Sequence, residues 1–351
     1  MKTTVLTISI ILLSITDIWA YNFKVGDLCY NIIDKGTKTV EVACERESHE
    51  NNYSYLSGVV TIPNTVTYNG TDYCVTRIGE LAFYNCSAIT QIIIPDNLTS
   101  INKSAFSGCS SLTEIIIPGS VKKIIEDAFS NCTSLTQINV ESGNAVYSSE
   151  DGVWFNKDKT RLILYPAGKE ESVYTIPNGV KCIGEEAFRS CSKLMKVTIP
   201  PSVTYIEEYA FFTSYSLTWF NVESGNRYYG SEDGVLFDYD KTTLIRYPIG
   251  KKEPSYTIPE SVSWIGERSF IKCPTLMRLT IPKNVKYIAK DAFSYCSSLT
   301  QITILATEPP EITTFPFYNI SPDMLVYVPA ESLEAYQKDY VWKKFNLRGL
   351  P

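Results

Sequence analysis

Cysteine and histidine, the side chains that most often bind metals or act as nucleophiles, occur in unequal numbers in this chain of 351 residues. There are ten cysteines but one histidine, His49, which lies in the polar segment CERESHENN. A histidine-activated nucleophile and a multi-histidine metal site are therefore not expected. No C-x-x-C spacing occurs, so a zinc or redox site has little support. The sequence predicts no metal and no cofactor, and it predicts that His49 is a solvated loop residue.

Two other patterns could supply catalytic groups. The acidic pairs at 150–151 and 232–233 could be the two carboxylates of a glycoside hydrolase. However, adjacent residues of an extended chain point to opposite faces, and each pair is followed by a glycine that indicates a turn. The S-x-x-K motifs that begin at Ser120 and Ser269 lack the partner motifs of serine acylases. The sequence therefore predicts a protein that is not an enzyme.

Most of the cysteines occupy one position of a recurring segment. Six of them stand three residues after a phenylalanine, and a seventh copy of the segment has Ser214 in this place. The six are Cys86, Cys109, Cys132, Cys191, Cys273 and Cys296. A position that accepts cysteine or serine in an apolar context favours small buried fillers with free thiols over disulfides.

These segments belong to a longer repeat, of which AFSGCSSLTEIIIPGSV at 105–121 is one copy. The isoleucines that open the successive units are Ile78, Ile101, Ile124, Ile183, Ile206, Ile265 and Ile288. Adjacent units start 23 residues apart, except for two steps of 59 residues. A fixed period in this range indicates a solenoid, in which each coil buries its apolar face against its neighbours.

The residues of one unit predict the two walls of one coil. In LTEIIIP the spacing of Leu112, Ile115 and Ile117 points these side chains to the interior of a strand, and the proline ends that strand. Phe129 and Cys132 of the following unit are expected to fill the opposite wall from a short helical or 3-10 segment. The strands of successive coils then form one parallel sheet.

The two long units share further sequence, which recurs 82 residues later. VESGN at 140–144 returns at 222–226, so 124–205 and 206–287 are predicted to be a duplicated block. In each block, two apolar runs around a polar turn predict an inserted β-hairpin that protrudes between two coils. The motif YTIP after each hairpin supplies an additional strand.

The unit I-G-x-x-A-F-x-x-C-x-x-L-T-x-I-x-I-P-x-x-V, present at 183–203 with Met195 in place of the threonine, resembles the BspA-type leucine-rich repeat. The expected fold is a right-handed α/β-type solenoid with a parallel sheet of about eleven strands, a helical or 3-10 back wall and two inserted hairpins. Residues 21–77 and 305–351 are similar to the terminal caps of the family, with the repeats at 78–304. The resemblance implies an exported or surface protein, with adhesion and host-protein binding in some members and no catalytic residues.

The N-terminus has the features of a secretory signal peptide. Lys2 precedes the apolar run VLTISIILLSI, and the small residue Ala20 fits a cleavage site. We expect a mature chain from Tyr21 that is secreted, to the cell surface, the extracellular space or a periplasm. No later apolar run is long enough to span a membrane. The formal net charge of −6 argues against nucleic acid as a partner.

The outward face of the predicted sheet is one candidate binding surface. The middle outward position of each strand is occupied by Thr61, Ile93, Ile116, Asn139, Thr175, Thr198, Asn221, Thr257, Thr280, Thr303 and Tyr327. Threonine simply suits a sheet, but Ile93 and Ile116 are large apolar groups on a face that should be solvated. Trp219 and Arg278 belong to the neighbouring row, two residues earlier. This face predicts binding of another protein, such as a host extracellular or matrix protein.

The hairpins are the second candidate surface. Their aromatic residues Trp154, Tyr165, Tyr229 and Tyr247 suggest carbohydrate binding as the alternative function. The opposing hypothesis is that these side chains pack on the solenoid as braces, and the sequence does not decide between the two. A glycan array compared with a panel of matrix proteins would separate the two functions.

Overall fold

Parallel strands stacked coil upon coil form most of the structure, a computed structural model that describes residues 21–45, 53, 55–321 and 323–350. The predicted signal peptide at 1–20 and His49 lie outside the described residues. The strands of the N-terminal segment are β1 (Phe23–Val25), β2 (Leu28–Asp34), β3 (Thr39–Ala43), β4 (Gly58–Thr61), β5 (Thr65–Tyr68) and β6 (Thr71–Ile78). Strands β1, β2 and β3 pair antiparallel, and β3 then pairs parallel to β6.

Each repeat contributes two strands, because the chain turns at the proline and again before the next coil. The strands that follow are β7 (Ile89–Ile93), β8 (Ser100–Ile101), β9 (Glu114–Ile117), β10 (Lys123–Ile124) and β11 (Gln137–Val140). The longer strands β4, β7, β9 and β11 stack parallel in one sheet, and the two-residue strands β8 and β10 stack on β6 in a second sheet. Alternate residues such as Ile92, Ile115 and Ile138 fill the interior between the walls.

The duplicated blocks repeat this plan with an addition. The first contains β12 (Tyr147–Glu150), β13 (Val153–Asn156), β14 (Arg161–Leu164), β15 (Val173–Thr175), β16 (Cys182–Ile183), β17 (Lys196–Ile199) and β18 (Tyr205–Ile206). The second begins at Ile206 and includes β19 (Trp219–Val222), β20 (Tyr229–Glu232), β21 (Val235–Asp238), β22 (Thr243–Arg246), β23 (Ser255–Thr257), β24 (Trp264–Ile265), β25 (Arg278–Ile281) and β26 (Tyr287–Ile288).

The inserted strands do not protrude, contrary to the expectation from the sequence. β13 and β14 are antiparallel, but β14 also pairs parallel to β16, and β22 likewise pairs parallel to β24. The physical reason is burial. Val153, Trp154 and Phe155 are consecutive and all fully buried, so β13 has no face to offer to solvent. The insertions are part of the wall of the solenoid.

The C-terminal end closes the stack. It contains β27 (Gln301–Ile304), β28 (Glu311–Ile312), β29 (Leu325–Val328), the helix α1 (Leu333–Lys338) and β30 (Asn346–Gly349). Trp342 is fully buried and its ring lies 5.4 Å from that of Phe317, which in turn stacks on Phe293 at 5.3 Å. The last coil is thus covered by aromatic side chains.

The back wall consists mainly of turns, which corrects the expected helical or 3-10 wall. One copy, Glu126–Phe129, forms a 3-10 turn, and the structure is a β-solenoid with little helix. Residues with positive φ, such as Asn85 and Ser190, interrupt the wall segments and prevent continuous helix. Backbone hydrogen bonds join successive turns, as between Phe106 N and Ala128 O at 2.9 Å.

The outward row of the sheet has the expected register but is divided. Thr61 pairs with Ile93, Ile116 with Asn139, and Thr198 with Asn221. However, the strands form three sheets, β4–β7–β9–β11, β15–β17–β19 and β23–β25–β27–β29–β30. At the first break the turn at 151–152 takes the edge of β11, since Ile138 N donates to Gly152 O at 2.9 Å. The prediction of a single row along the molecule is therefore wrong.

Two ladders fill the core. The repeat phenylalanines stack, with ring centroids 5.5 Å apart for Phe83 and Phe106 and 5.3 Å for Phe106 and Phe129. The six repeat cysteines are buried as predicted and are free thiols. The Sγ atoms of Cys109, Cys132 and Cys296 face the phenylalanine carbonyl of the preceding coil; that of Cys132 lies 3.2 Å from Phe106 O. Ser214 Oγ makes the same contact with Phe188 O, which explains why serine is accepted there.

Candidate functional site

Three aliphatic side chains are exposed together on the outer face of the first sheet. Ile93 and Ile116 are neighbours on β7 and β9 and are 47 % and 48 % exposed. Val59, on β4 and diagonal to Ile93, is 57 % exposed. Side chains directly opposite each other on neighbouring strands, such as Ile93 and Ile116, lie about 5 Å apart, and diagonal neighbours lie about 7–8 Å apart. We call Val59, Ile93 and Ile116 the aliphatic patch.

Polar groups border the patch on the same face. Gln91 Nε2 donates to Glu114 Oε1 at 3.0 Å, and these two residues occupy the row beside the isoleucines. Thr61 and Asn139 flank the isoleucine pair within the outward row. An apolar centre with a hydrogen-bonded polar border is the usual composition of a protein-binding surface.

A cavity of about 470 Å³ adjoins the patch at its N-terminal end. Its walls include Val25, Tyr55 and Val59, so it is continuous with the aliphatic patch. Lys24 Nζ donates to Tyr55 Oη at 2.8 Å and forms an ion pair with Glu45 at 2.9 Å. The hydrogen bonds with Tyr55 and Glu45 raise the pKa of Lys24, so its ammonium group stays charged at neutral pH. The cavity thus has a fixed aromatic wall.

Trp219 is 42 % exposed, but it lies in the sheet β15–β17–β19, away from the patch. Its ring covers Gly234, where an added Cβ would come within 2.8 Å of the indole, and Lys251 Nζ lies 5.6 Å from the ring centroid. Trp219 therefore covers the turn of the second insertion. Arg278 is exposed on β25 in the third sheet. The structure does not bring Trp219, Arg278 and the isoleucines together.

The hairpin aromatics occupy the core and not a binding surface. Trp154, Tyr165 and Tyr247 are 0 %, 1 % and 2 % exposed. Tyr165 stacks on Phe188 at 5.5 Å and Tyr247 on Phe270 at 5.2 Å, which places them in the phenylalanine ladder. They are braces, and their selection as ligand contacts is corrected.

Tyr229, the fourth of these aromatic residues, is less buried than the other three. It is half-buried, and its hydroxyl accepts a hydrogen bond from Ile206 N at 3.0 Å. Burial raises its pKa to about 12. Tyr147, at the corresponding place of the first block, accepts from Ile124 N at 2.9 Å in the same way. Both hydroxyls attach an insertion to the start of its own block.

Sequence reasoning missed a pair of buried asparagines that fix the insertions. Asn144 is fully buried; its Nδ2 donates to the carbonyls of Pro118 and Val121, and its Oδ1 accepts from Val146 N and Tyr147 N. Asn226 makes the corresponding four bonds in the second block. The repeated VESGN motif was the signal, because an asparagine that is present in both copies of a motif is expected to have a role for its side chain.

The described residues contain no group of three or more side chains that could hold a metal ion. Burial raises the pKa of the Cys132 thiol to about 12, so this cysteine is not a nucleophile at neutral pH. Within the described part of the chain, no helix has the length and apolar character needed to cross a membrane.

A stack of coils with a period of 23 residues, parallel sheets and an open outer face defines the class as a leucine-rich repeat solenoid. The family model described as "BspA type Leucine rich repeat region" matches residues 58–171, 168–233 and 251–339 in six copies. The chain therefore belongs to the BspA-type leucine-rich repeat family.

The chain is also similar to proteins of solved structure. A leucine rich cell surface protein from Faecalibacterium prausnitzii is 23 % identical, with 84 % of this chain and 95 % of that chain covered and a TM-score of 0.39. The pneumococcal vaccine antigen PcpA is 18 % identical over 94 % of this chain and 98 % of its own, with a TM-score of 0.42. A leucine-rich repeat protein from Bacteroides ovatus is 22 % identical over 94 % and 100 %, with a TM-score of 0.43. Among curated proteins the chain has no match.

Proposed function

We propose that this protein is an exported surface protein without enzymatic activity that binds another protein through the aliphatic patch. The observation that carries the proposal is the exposure of the neighbouring Ile93 and Ile116, with Val59 diagonal to Ile93, on an open sheet face. Membership of the BspA-type family is consistent with this role. Export with cleavage after Ala20 belongs to the proposal, and secreted material whose N-terminal residue is Tyr21 would support it.

The patch is large enough to contribute to affinity. Fully burying an aliphatic side chain of this size stabilises a complex by about 1.5–3 kcal/mol relative to leaving it exposed. Three such residues on one sheet face, with a cavity beside them, could form the apolar centre of an interface. The partner chemistry that fits is a protein surface with one projecting apolar side chain for the cavity and aliphatic groups for the patch.

The test uses residues that the repeat itself accepts. Ile93→Thr with Ile116→Thr replaces each isoleucine by the residue that Thr198 and Thr280 provide at the same position of other strands. Binding to a panel of purified matrix proteins, measured by surface plasmon resonance, should fall at least tenfold for the panel member that the wild type binds. The matched control is Thr280→Ser on the third sheet, which should leave binding unchanged. Unaltered binding by the folded double variant would contradict the proposal.

Carbohydrate binding remains the second candidate, although the hairpin aromatics no longer support it. The observation that favours it is an aromatic pair on the neighbouring strands β24 and β26, of which Trp264 is exposed and Tyr287 is half-buried. Trp264 is 38 % exposed, and its ring lies 4.9 Å from that of Tyr287. A glycan array bound by the wild type and lost with Trp264→Ala, while binding to the matrix proteins stays intact, would favour this alternative.

A further inference from the structure

The first duplicated block has an open groove outside the sheet face. Its volume is about 550 Å³, and it lies between the coil that begins at Ile124 and the one that begins at Ile183. The residues that line it are Lys103, Ile124, Ile125, Asp127, Glu185 and Glu186. Three carboxylates against one lysine give the lining an acidic balance. The groove exists because the inserted strands separate two coils that would otherwise be adjacent.

Two of the three carboxylates are held in fixed orientations by neighbouring side chains. Asp127 Oδ2 accepts from Ser104 Oγ at 2.9 Å. Glu186 Oε2 accepts from Ser130 Oγ at 2.5 Å, and its Oε1 pairs with Arg189. A carboxylate can accept about four hydrogen bonds, so each retains acceptor capacity for a ligand. Fixed acceptors reduce the entropy that a cationic ligand would otherwise lose on binding.

The corresponding place in the second block differs from the groove in two of the three carboxylates. At the 82-residue offset, Glu267 corresponds to Glu185, but Arg268 replaces Glu186 and Tyr209 replaces Asp127. The guanidinium of Arg268 pairs with Glu267 at 3.1 Å and lies 4.7 Å from the Tyr209 ring centroid. The backbone is also alike, since Glu186 and Arg268 both have positive φ, 58° and 53°.

Other contacts enclose Arg268 completely. It pairs with Glu208 and with Asp291 at 3.4 Å, and it is only 7 % exposed. Arg246, which replaces Leu164 of the first block, donates to the backbone carbonyls of Glu208 and Arg268. In the second block arginine side chains of the chain itself thus lie at the place of the groove. The first block has no arginine at either of these two positions, and Arg189, which pairs with Glu186, does not line the groove.

We infer that the open groove of the first block binds an arginine side chain of a partner polypeptide, in the place that Arg268 fills in the second block. The planar guanidinium presents several donors in a fixed fork that matches carboxylate acceptors. The groove is larger than one guanidinium group, so flanking residues of the partner fit against Ile124 and Ile125. This site is separate from the aliphatic patch, and either proposal can hold without the other.

The probe is an acetylated and amidated peptide, Gly-Gly-Arg-Gly-Gly, compared with its citrulline counterpart, which has the same shape without the charge. Ligand-observed NMR at low salt should show at least tenfold tighter binding of the arginine peptide. Rising ionic strength should weaken it, because the groove is open to solvent. Equal binding of the two peptides would overturn the proposal.

Three variants locate the binding. Asp127→Tyr with Glu186→Arg copies the second block into the first, and it should lower binding of the arginine peptide at least tenfold. Glu185→Gln is a smaller change, which keeps the shape and removes one charge, and it should weaken binding several-fold even if the double variant does not fold. The matched control is Glu170→Gln, an exposed carboxylate that does not line the groove. Unchanged affinity in the folded Glu185→Gln variant would contradict the assignment.

Discussion

The cysteine position shows how one residue of the repeat serves two purposes. The thiol fills the back of the coil, and it also points at a carbonyl of the preceding coil, as Cys109 Sγ does toward Phe83 O at 3.1 Å. The sequence predicted that the repeat cysteines are buried, from their spacing and from the presence of Ser214 at the same position of another unit. It could not predict the contact with the carbonyl, because a period fixes which wall a side chain occupies but not which atom it faces.

Burial of these thiols makes the folded state sensitive to alkaline pH. Desolvation raises the pKa of Cys86 and of Cys132 to about 12, whereas an unfolded thiol has a pKa of about 8.5. The stability that the buried neutral thiols contribute is therefore fully present below the pKa of the unfolded thiol. It is lost as pH rises from there toward about 12. At about pH 10.5 each thiol should lower the free energy of unfolding by ~3 kcal/mol relative to neutral pH.

The measurement is the free energy of unfolding from denaturant titrations at about pH 8 and about pH 10.5. Buried tyrosines such as Tyr229 shift in the same direction, so the wild type alone does not isolate the thiols. The Cys86→Ser, Cys132→Ser variant is the control, since serine does not ionise in this range and is native at position 214. The variant should lose less stability than the wild type on the same pH change. Equal losses would mean that these thiols are not buried as described.

At the scale of the elements, the sequence predicted the coils better than the insertions. Period, strand register and the phenylalanine ladder follow from spacing alone, because each coil repeats the same contacts. The insertions were predicted to protrude, since two apolar runs around a polar turn resemble a free hairpin. The overlooked signal is the unbroken apolar character of Val153–Phe155 and Leu162–Tyr165, which is typical of strands buried on both faces. Which strand such a run pairs with cannot be read from the run itself.

The asparagine at the start of each insertion is expected to be essential for docking it. Asn144→Ala removes four hydrogen bonds and leaves backbone groups of Pro118, Val121, Val146 and Tyr147 without this partner, and of these four residues only Val146 is exposed. An unsatisfied buried group costs about 1–3 kcal/mol, so we expect a loss of about 2–5 kcal/mol in the free energy of unfolding, measured by denaturant titration.

The matched control for this substitution is Asn139→Ala. Asn139 lies on the exposed sheet face, and its side chain donates to Gln137 Oε1 at 3.4 Å. Surface changes of this kind usually stay within about 0.5 kcal/mol. Similar losses for the two variants would show that Asn144 does not hold the insertion in place.

At the scale of the molecule, the two long units divide the surface into regions of different chemical character. The aliphatic patch lies in the sheet before the first insertion. The open groove lined by Asp127, Glu185 and Glu186, here called the acidic groove, lies between the first and second coils of the first block. The insertions are what separate the three sheets, so the long uniform row expected from the sequence is interrupted at both blocks. The distribution of binding surfaces is thus a consequence of where the long units fall in the repeat.

The duplication also predicts that one whole block can be removed. Deleting 124–205 joins Lys123 to Ile206, which would then pair with Ile101 as Ile124 does in β8 and β10. Asn226 would reach the carbonyls of Pro118 and Val121, which Asn144 contacts in the full chain. Because a solenoid is stabilised mainly by contacts between neighbouring coils, the shortened protein should fold cooperatively, as shown by circular dichroism and thermal unfolding.

The same deletion separates the two binding proposals. It retains Val59, Ile93 and Ile116 but removes Asp127 and most other residues that line the acidic groove. We therefore expect protein binding through the patch to persist and binding of the arginine peptide to be lost. Deletion of 124–201, which leaves four extra residues, is the control: it puts the following coils out of step with the preceding ones and should prevent cooperative folding. If both deletions fold equally well, the coils do not depend on the register described here. If the 124–205 deletion still binds the arginine peptide, the peptide site lies elsewhere on the molecule.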